Sequence, residues 1–145
     1  MIESFQGEFA FLSNFFPSPI IVNGIKFPTV EHAYQAFKTL NMEEQIQIAS
    51  LPTPGQAKRA GSRVELRPDW EEIKIHVMNK LVRFKFASHP NLAKKLQETG
   101  RKEIVEGNNW GDQFWGVSGG KGRNELGKIL MVIREELNQD MFLIQ

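Results

Sequence analysis

The chain contains no cysteine, and that absence removes disulfide scaffolding, thiolate nucleophiles and Cys-ligated zinc together. Histidine is almost as scarce: His32, His76 and His89 lie far apart and form no HExxH-like pair, so no metal is expected. No apolar run is long enough to cross a bilayer, and the first five residues lack the basic region and apolar stretch of a signal peptide, so a cytoplasmic protein with no membrane partner is expected. Charge of one sign is missing too. The 18 Lys and Arg against 17 Asp and Glu leave +1, which gives no global drive toward duplex nucleic acid or anionic lipid.

What is present suits one ordinary globular domain spanning residues 1–145. The pattern predicts an α+β fold: a single, mainly helical domain with a few short β-strands. Phe9 to Phe16 is dense in aromatics and leads into Pro17-Ser18-Pro19, an irregular segment by composition. Ile20-Ile21-Val22 and Ile25-Lys26-Phe27, separated by Asn23-Gly24, read as a hairpin with a two-residue turn. Thr29 is a natural N-cap for a helix over residues 30–40, with a core stripe of Val30, Ala33, Phe37 and Leu40. Thr53, Pro54 and Gly61 bracket a short helix. A longer one begins near Pro68-Asp69, with Trp70, Ile73, Val77, Leu81 and Phe84 on one face; another runs from Asn91 to Thr99. The last is expected over residues 124–137, burying Leu126, Ile129, Leu130, Ile133 and Leu137.

Several residues could carry chemistry, and each has a plainer reading beside it. Glu31, Gln35 and Lys38 recur at i, i+4 and i+7 and form a polar stripe that either meets water or lines a pocket. Alone, Lys38 reads as a solvated helix lysine and Glu31 as a carboxylate favoured by the helix dipole. Trp110 and Trp115 among glycines suggest a stacking surface, although tryptophan is most often core. Asp112, between Gly111 and Gln113, could simply form a turn. Lys58, Arg59 and Arg63 could contact phosphate or water, as could the backbone amides of the segment from Gly119 to Asn124.

The ordered set changes the weighing. FAFLSNFF (9–16), FPTVEHAYQAFK (27–38), PGQAKRAGSR (54–63), RPDWEEIK (67–74), VMNKLVRFKF (77–86), IVEGNNWGDQFWG (104–116) and GRNELGKILMVIREEL (122–137) follow one another along the chain. In these pieces, above all EHxYQxxK, RxDW and GDxxWG, the chain resembles the NADAR family, named for NAD and ADP-ribose, which includes the YbiA-like proteins. The resemblance implies hydrolysis of an N-glycosidic bond between a ribose and an exocyclic amine, with no cofactor. The substrate would be ADP-ribosylated guanine at a single position in DNA or RNA, or a phosphorylated ribosylamino-pyrimidine intermediate of riboflavin biosynthesis. A cognate ADP-ribosylating toxin is among the partners it allows. Position by position, it places function on Glu31, Lys38, Trp70 and Asp112, with Glu106, Trp115, Asn14 and Gly111 as further substrate-binding candidates.

Such residues allow a lysine route. An aminal at the anomeric carbon can open to an imine, so a neutral Lys38 can form a Schiff base while Glu31 and Asp112 move protons. On a continuous helix, Glu31 and Lys38 would lie about 10 Å apart along the axis, flanking one substrate. A direct alternative uses the two carboxylates alone. A non-catalytic ADP-ribose- or NAD-binding module would keep the tryptophans and glycines but have no need of Lys38, and an interaction protein would turn the polar stripe outward.

Overall fold

In the computed structural model, residues 1–142 are described, and the chain forms two compact units: Asn14–Ser88, and Met1–Ser13 together with the chain from His89 onward. Each is described by itself.

The Asn14–Ser88 unit opens with the anticipated hairpin, β1 (Ile20–Val22) antiparallel to β2 (Ile25–Phe27), with Ile20 opposite Phe27 and Val22 opposite Ile25. Asn23 and Gly24 both take positive φ, 52° and 78°, as a type I′ turn requires. Four helices follow: α1 (Val30–Ala36), α2 (Met42–Ala49), α3 (Pro54–Gly61) and α4 (Trp70–Ser88). Helix α3 has a full capping box, in which Thr53 accepts the Gln56 N–H and the Gln56 side chain takes the Thr53 N–H.

Helix α1 is the centre of this unit, buried on every side and packed against α2, α3, α4 and β2. Its N-cap Thr29 accepts the His32 N–H at 3.1 Å, and the buried His32 ring lies 2.7 Å from Thr29 Oγ1 and 2.9 Å from the Leu51 carbonyl. Burial lowers the His32 pKa, against the Leu51 bond that raises it, and the ring serves as a strut.

The helix expected over residues 30–40 ends at Ala36. Phe37 and Lys38 close it as a tight turn, with the Lys38 N–H on the Gln35 carbonyl at 3.3 Å. The next residues are drawn into starting α2. The Thr39 hydroxyl donates to Glu44 at 2.8 Å and accepts the Asn41 N–H, while the Gln45 amide donates to the Thr39 carbonyl. Leu40 therefore leaves the predicted core stripe and is 67% exposed.

Helix α4 begins where expected, but of the predicted face Trp70 and Leu81 are buried while Ile73, Val77 and Phe84 are half-buried, and burial falls as well on Met78, Val82, Arg83, Lys85 and Phe86. Lys85 is fully buried, with Nζ 5.4 Å from the Phe86 ring centroid and 5.9 Å from that of Phe16. Burial lowers its pKa from 10.5 to about 7. Between those values the unfolded chain holds a proton the native chain has released, so stability from this group rises with pH, and below pH 7 it levels off. The slope approaches about 1.4 kcal/mol per unit. Lys85→Met is expected to remove it: urea melts at pH 7 and 9 should show wild type gaining roughly 2 kcal/mol relative to the variant, and parallel pH dependences would contradict this.

The other unit contains a 3-10 helix (Gly7–Leu12), α5 (Pro90–Glu98), a parallel pair of two-residue strands, β3 (Gly107–Asn108) and β4 (Val117–Ser118), and α6 (Glu125–Asn138). Helices α5 and α6 pack together, burying Leu92 and Leu96 on one and Leu126, Ile129, Leu130 and Ile133 on the other. Each such side chain contributes about 2 kcal/mol of burial. Leu137, expected in the stripe, is half-buried. Arg134 on α6 donates to Thr99 Oγ1 at 3.0 Å, and Ile2 pairs with Ile104 as an isolated bridge. Among the described residues no helix is long and apolar enough to cross a membrane.

Candidate active site

The polar stripe of α1 faces inward. Glu31 is 8% exposed and Gln35 3%, so the choice between solvent and interior falls to the interior. The Gln35 amide Nε2 donates to Glu31 Oε2 at 2.6 Å, and the Glu31 N–H is held by the Asn14 carbonyl at 3.1 Å. Asn14 is itself buried, with its side-chain amide on Met78 Sδ at 3.4 Å, so its contribution here is to fix the start of α1.

Lys38 sits in the turn that closes the helix, two residues past its end, half-buried, with Nζ 5.7 Å from the Tyr34 ring centroid. Tyr34 rests on Trp70, their centroids 5.1 Å apart and planes at 57°. Trp70, one of the positions on which the resemblance places function, is only 4% exposed. Its ring supports the tyrosine beneath the amine. The Lys38 backbone is pinned from the next segment, since Arg67 N–H donates to the Lys38 carbonyl at 2.8 Å. The Arg67 guanidinium forks onto Asp69, Nε to Oδ1 at 2.7 Å and Nη2 to Oδ2 at 3.1 Å, and this bond holds the Asp69 carboxyl below its usual range. The RxDW motif thus clamps the turn carrying the lysine.

Electrostatics prepares that amine. Burial lowers the Lys38 pKa; Glu31 pulls it back up, while the positive charges of Lys58 on α3 and Lys74 on α4 lower it further. More of it is neutral near pH 7 than of a surface lysine, and neutral amine is the nucleophilic form. Beside it stands a buried carboxylate able to take a proton.

Arg59 and Arg63 are exposed on and just after α3. Arg63 edges a cleft of about 340 Å³ that also includes Glu44, Ile48, Leu51 and Ala60; neither Glu31 nor Lys38 lines it.

Asp112, Gly111, Trp115 and Glu106 belong to the other unit. Asp112 forms a turn: its Oδ1 accepts the N–H groups of Phe114 at 3.0 Å and Trp115 at 2.9 Å. Both bonds fall on one oxygen. Gly111, at φ 87°, donates its N–H to Ser118 Oγ, and half-buried Trp115 meets Phe114 edge-on at 4.8 Å. Trp110 is the exposed indole of this loop, at 61%.

Two asparagines that sequence reasoning passed over organise the loop. The Asn108 amide donates to the Asp112 carbonyl and to Glu106 Oε2, and its Oδ1 accepts the Asp112 N–H. Buried Asn124, at φ 55°, accepts the Glu106 N–H through Oδ1 and donates to the Ile104 carbonyl. Their signal was an asparagine in a glycine-rich turn, where its side chain can replace missing backbone partners. Asn124→Ala strands two backbone groups and places a Cβ-bearing residue without that compensation at positive φ. Urea unfolding is expected to show a loss of roughly 3 kcal/mol, and a loss below about 1 kcal/mol would mean the brace is dispensable.

Known proteins match this chain along most of its length. The NADAR domain model matches residues 3–138, a stretch that runs through both units. N-glycosidase YbiA of Escherichia coli strain K12 is 39% identical over 137 residues, which are 92% of this chain and 85% of that protein. A riboflavin biosynthesis protein of Vibrio vulnificus is 42% identical over 132 residues; the match takes in 89% of this chain and only 36% of that longer protein. The NMR structure of E. coli YbiA superposes with a TM-score of 0.83 at 36% identity, covering 97% of this chain and 88% of the other, in the same α+β architecture.

Proposed function

The chain belongs to the NADAR domain family, and from that premise we propose that it is an N-glycosyl hydrolase acting as one domain, with Lys38 as nucleophile and Glu31 as proton carrier. The observation that carries this reading is the half-buried amine of Lys38, depressed in pKa and seated over Tyr34, with Glu31 buried nearby.

The reaction balances without a cofactor. The sugar ring opens first, the bond from the anomeric carbon to the ring oxygen breaking as the proton of the base's N–H passes to that oxygen, which leaves an imine between the anomeric carbon and the base's nitrogen. The Nζ lone pair adds to that carbon, its bond to the base's nitrogen breaks, and the two protons lost by Nζ pass to that nitrogen by way of Glu31, giving the free amine and a lysine imine. Water then adds to the resulting lysine imine, freeing the sugar and regenerating the amine. Asp112 is proposed for proton transfer through Oδ2 alone, because Oδ1 is committed to its loop. Arg59 and Arg63, on their exposed segment, are proposed for the substrate's phosphates.

Two substrates contain the required bond. The first is ADP-ribosylated guanine, presented as a single unpaired or flipped nucleotide because the chain's balanced charge suits no extended duplex contact. The second, a phosphorylated ribosylamino-pyrimidine, is favoured by the Vibrio relative named for riboflavin biosynthesis. Incubation with each, followed by mass spectrometry, is expected to show free base with its amine intact together with free sugar from one of them. Tight retention of an unaltered ligand, with no base released, would instead make the protein a binding module.

A further inference from the structure

We propose that Gln35 is the positioning residue for Glu31, holding its carboxyl in either protonation state by turning its amide end for end against Gly61. The inference rests on the reading of Glu31 as proton carrier. Its starting point is an atom with nothing to do: among the described residues, Gln35 Oε1 is the buried side-chain polar atom without a hydrogen-bond partner. Buried acceptors are almost always satisfied, so an exception beside a reacting carboxyl calls for a reason.

The surroundings supply one. Nε2 bonds Glu31 Oε2 at 2.6 Å, and Oε1 lies against Gly61 of α3, where any Cβ would overlap the Gln35 side chain. The Gly61 Cα presents neither a strong donor nor an acceptor. With Nε2 toward Glu31, the amide donates to a carboxylate. Rotated by half a turn, it offers Oε1 to the O–H of a protonated carboxyl, and Nε2 takes the place against Gly61. In the orientation seen the far end is unsatisfied, so it contributes no bond that would hold the amide this way round. A partner there would lock one orientation and, with it, one charge state of Glu31. Proton carriage needs both states held in the same place.

The charged groups around this pair are Lys38, at the end of the same helix, with Lys58 of α3 and Lys74 of α4 acting on Lys38. From α2, Glu44 is bonded to Thr39. None of these is bonded to the Gln35 amide.

The test uses the wild-type protein first. On glutamate-¹³C, uniformly ¹⁵N-labelled protein, the Glu31 carboxyl is titrated while nuclear Overhauser effects between the Gln35 side-chain NH₂ and the Gly61 α-protons are followed. These are expected to strengthen at least about fivefold as Glu31 takes up its proton; constant intensities through the titration would overturn the turn. In turnover, Gln35→Met is expected to lower kcat at least about tenfold with KM within about twofold. Unchanged kcat would overturn the positioning role. Full turnover by Glu31→Gln would sink the proton-carrier reading instead, and the amide's turn would still be decided by the spectra.

Discussion

Replacing Lys38 with alanine is expected to lower kcat by about 10³-fold or more, some 4 kcal/mol of transition-state stabilisation. The covalent route has no substitute for that amine. Lys38→Arg should do no better, because a guanidinium keeps its charge at any working pH and has no free lone pair, whatever its steric fit over Tyr34. The fold should persist in both, since the turn holding residue 38 is pinned through backbone bonds from Gln35 and Arg67 that need no lysine side chain. A direct check is borohydride added during turnover. Reduction of the imine would leave the sugar on the peptide containing Lys38, visible by mass. Full turnover with no adduct, or an active Lys38→Ala protein, would transfer the chemistry to the carboxylates alone.

The pH dependence has a sign. On the proposed lysine route the reactive amine is neutral, so the rate should rise with pH through the lowered Lys38 pKa and then level off. Lys58 and Lys74 help to lower it, and removing either charge should displace the rise to higher pH. The three lysines and Glu31 thus act as one electrostatic unit assembled from α1, α3 and α4.

Much of this was legible in the residues, and what was not has local causes. The hairpin and α3 were plain because Asn23-Gly24 and Thr53-Pro54 are signals whose geometry does not depend on the rest of the molecule. The length of α1 was misread because periodicity continues through Leu40, whereas Thr39 and Asn41 spend their polar atoms on starting α2. Helix α2 itself was not predicted, although Asn41 with Glu43 and Glu44 is a fair N-terminal signature. The polar stripe of Glu31, Gln35 and Lys38 was visible as a pattern, but its inward direction came from packing α1 on all sides, which no single-helix pattern can show. For Trp70, periodicity showed a helix face, and only tertiary structure placed it against Tyr34. Asp112 followed the plainer of its two readings through Oδ1, as expected of an aspartate in a glycine-rich turn.

Glu31→Gln combines two opposing effects, and their magnitudes decide the outcome. The carboxylate's charge raises the Lys38 pKa, so neutralising it lowers that pKa further and enlarges the neutral, nucleophilic fraction of the amine. That gain is bounded: once most of the lysine is neutral, further lowering adds nothing and weakens its nucleophilicity. Loss of the proton carrier has no such ceiling, and positioned acid–base groups contribute about 10²- to 10⁴-fold. The net result expected is a fall in kcat of at least about 10²-fold, accompanied by a shift of the rising limb to lower pH. The two readings together identify the residue's role. A slower enzyme with an unmoved limb would mean that Glu31 and Lys38 do not feel each other, and a moved limb at full rate would make Glu31 a tuner of the lysine rather than a carrier of protons. The substitution is nearly isosteric, and Gln35 can still bond the new amide, so unfolding should not confuse the measurement.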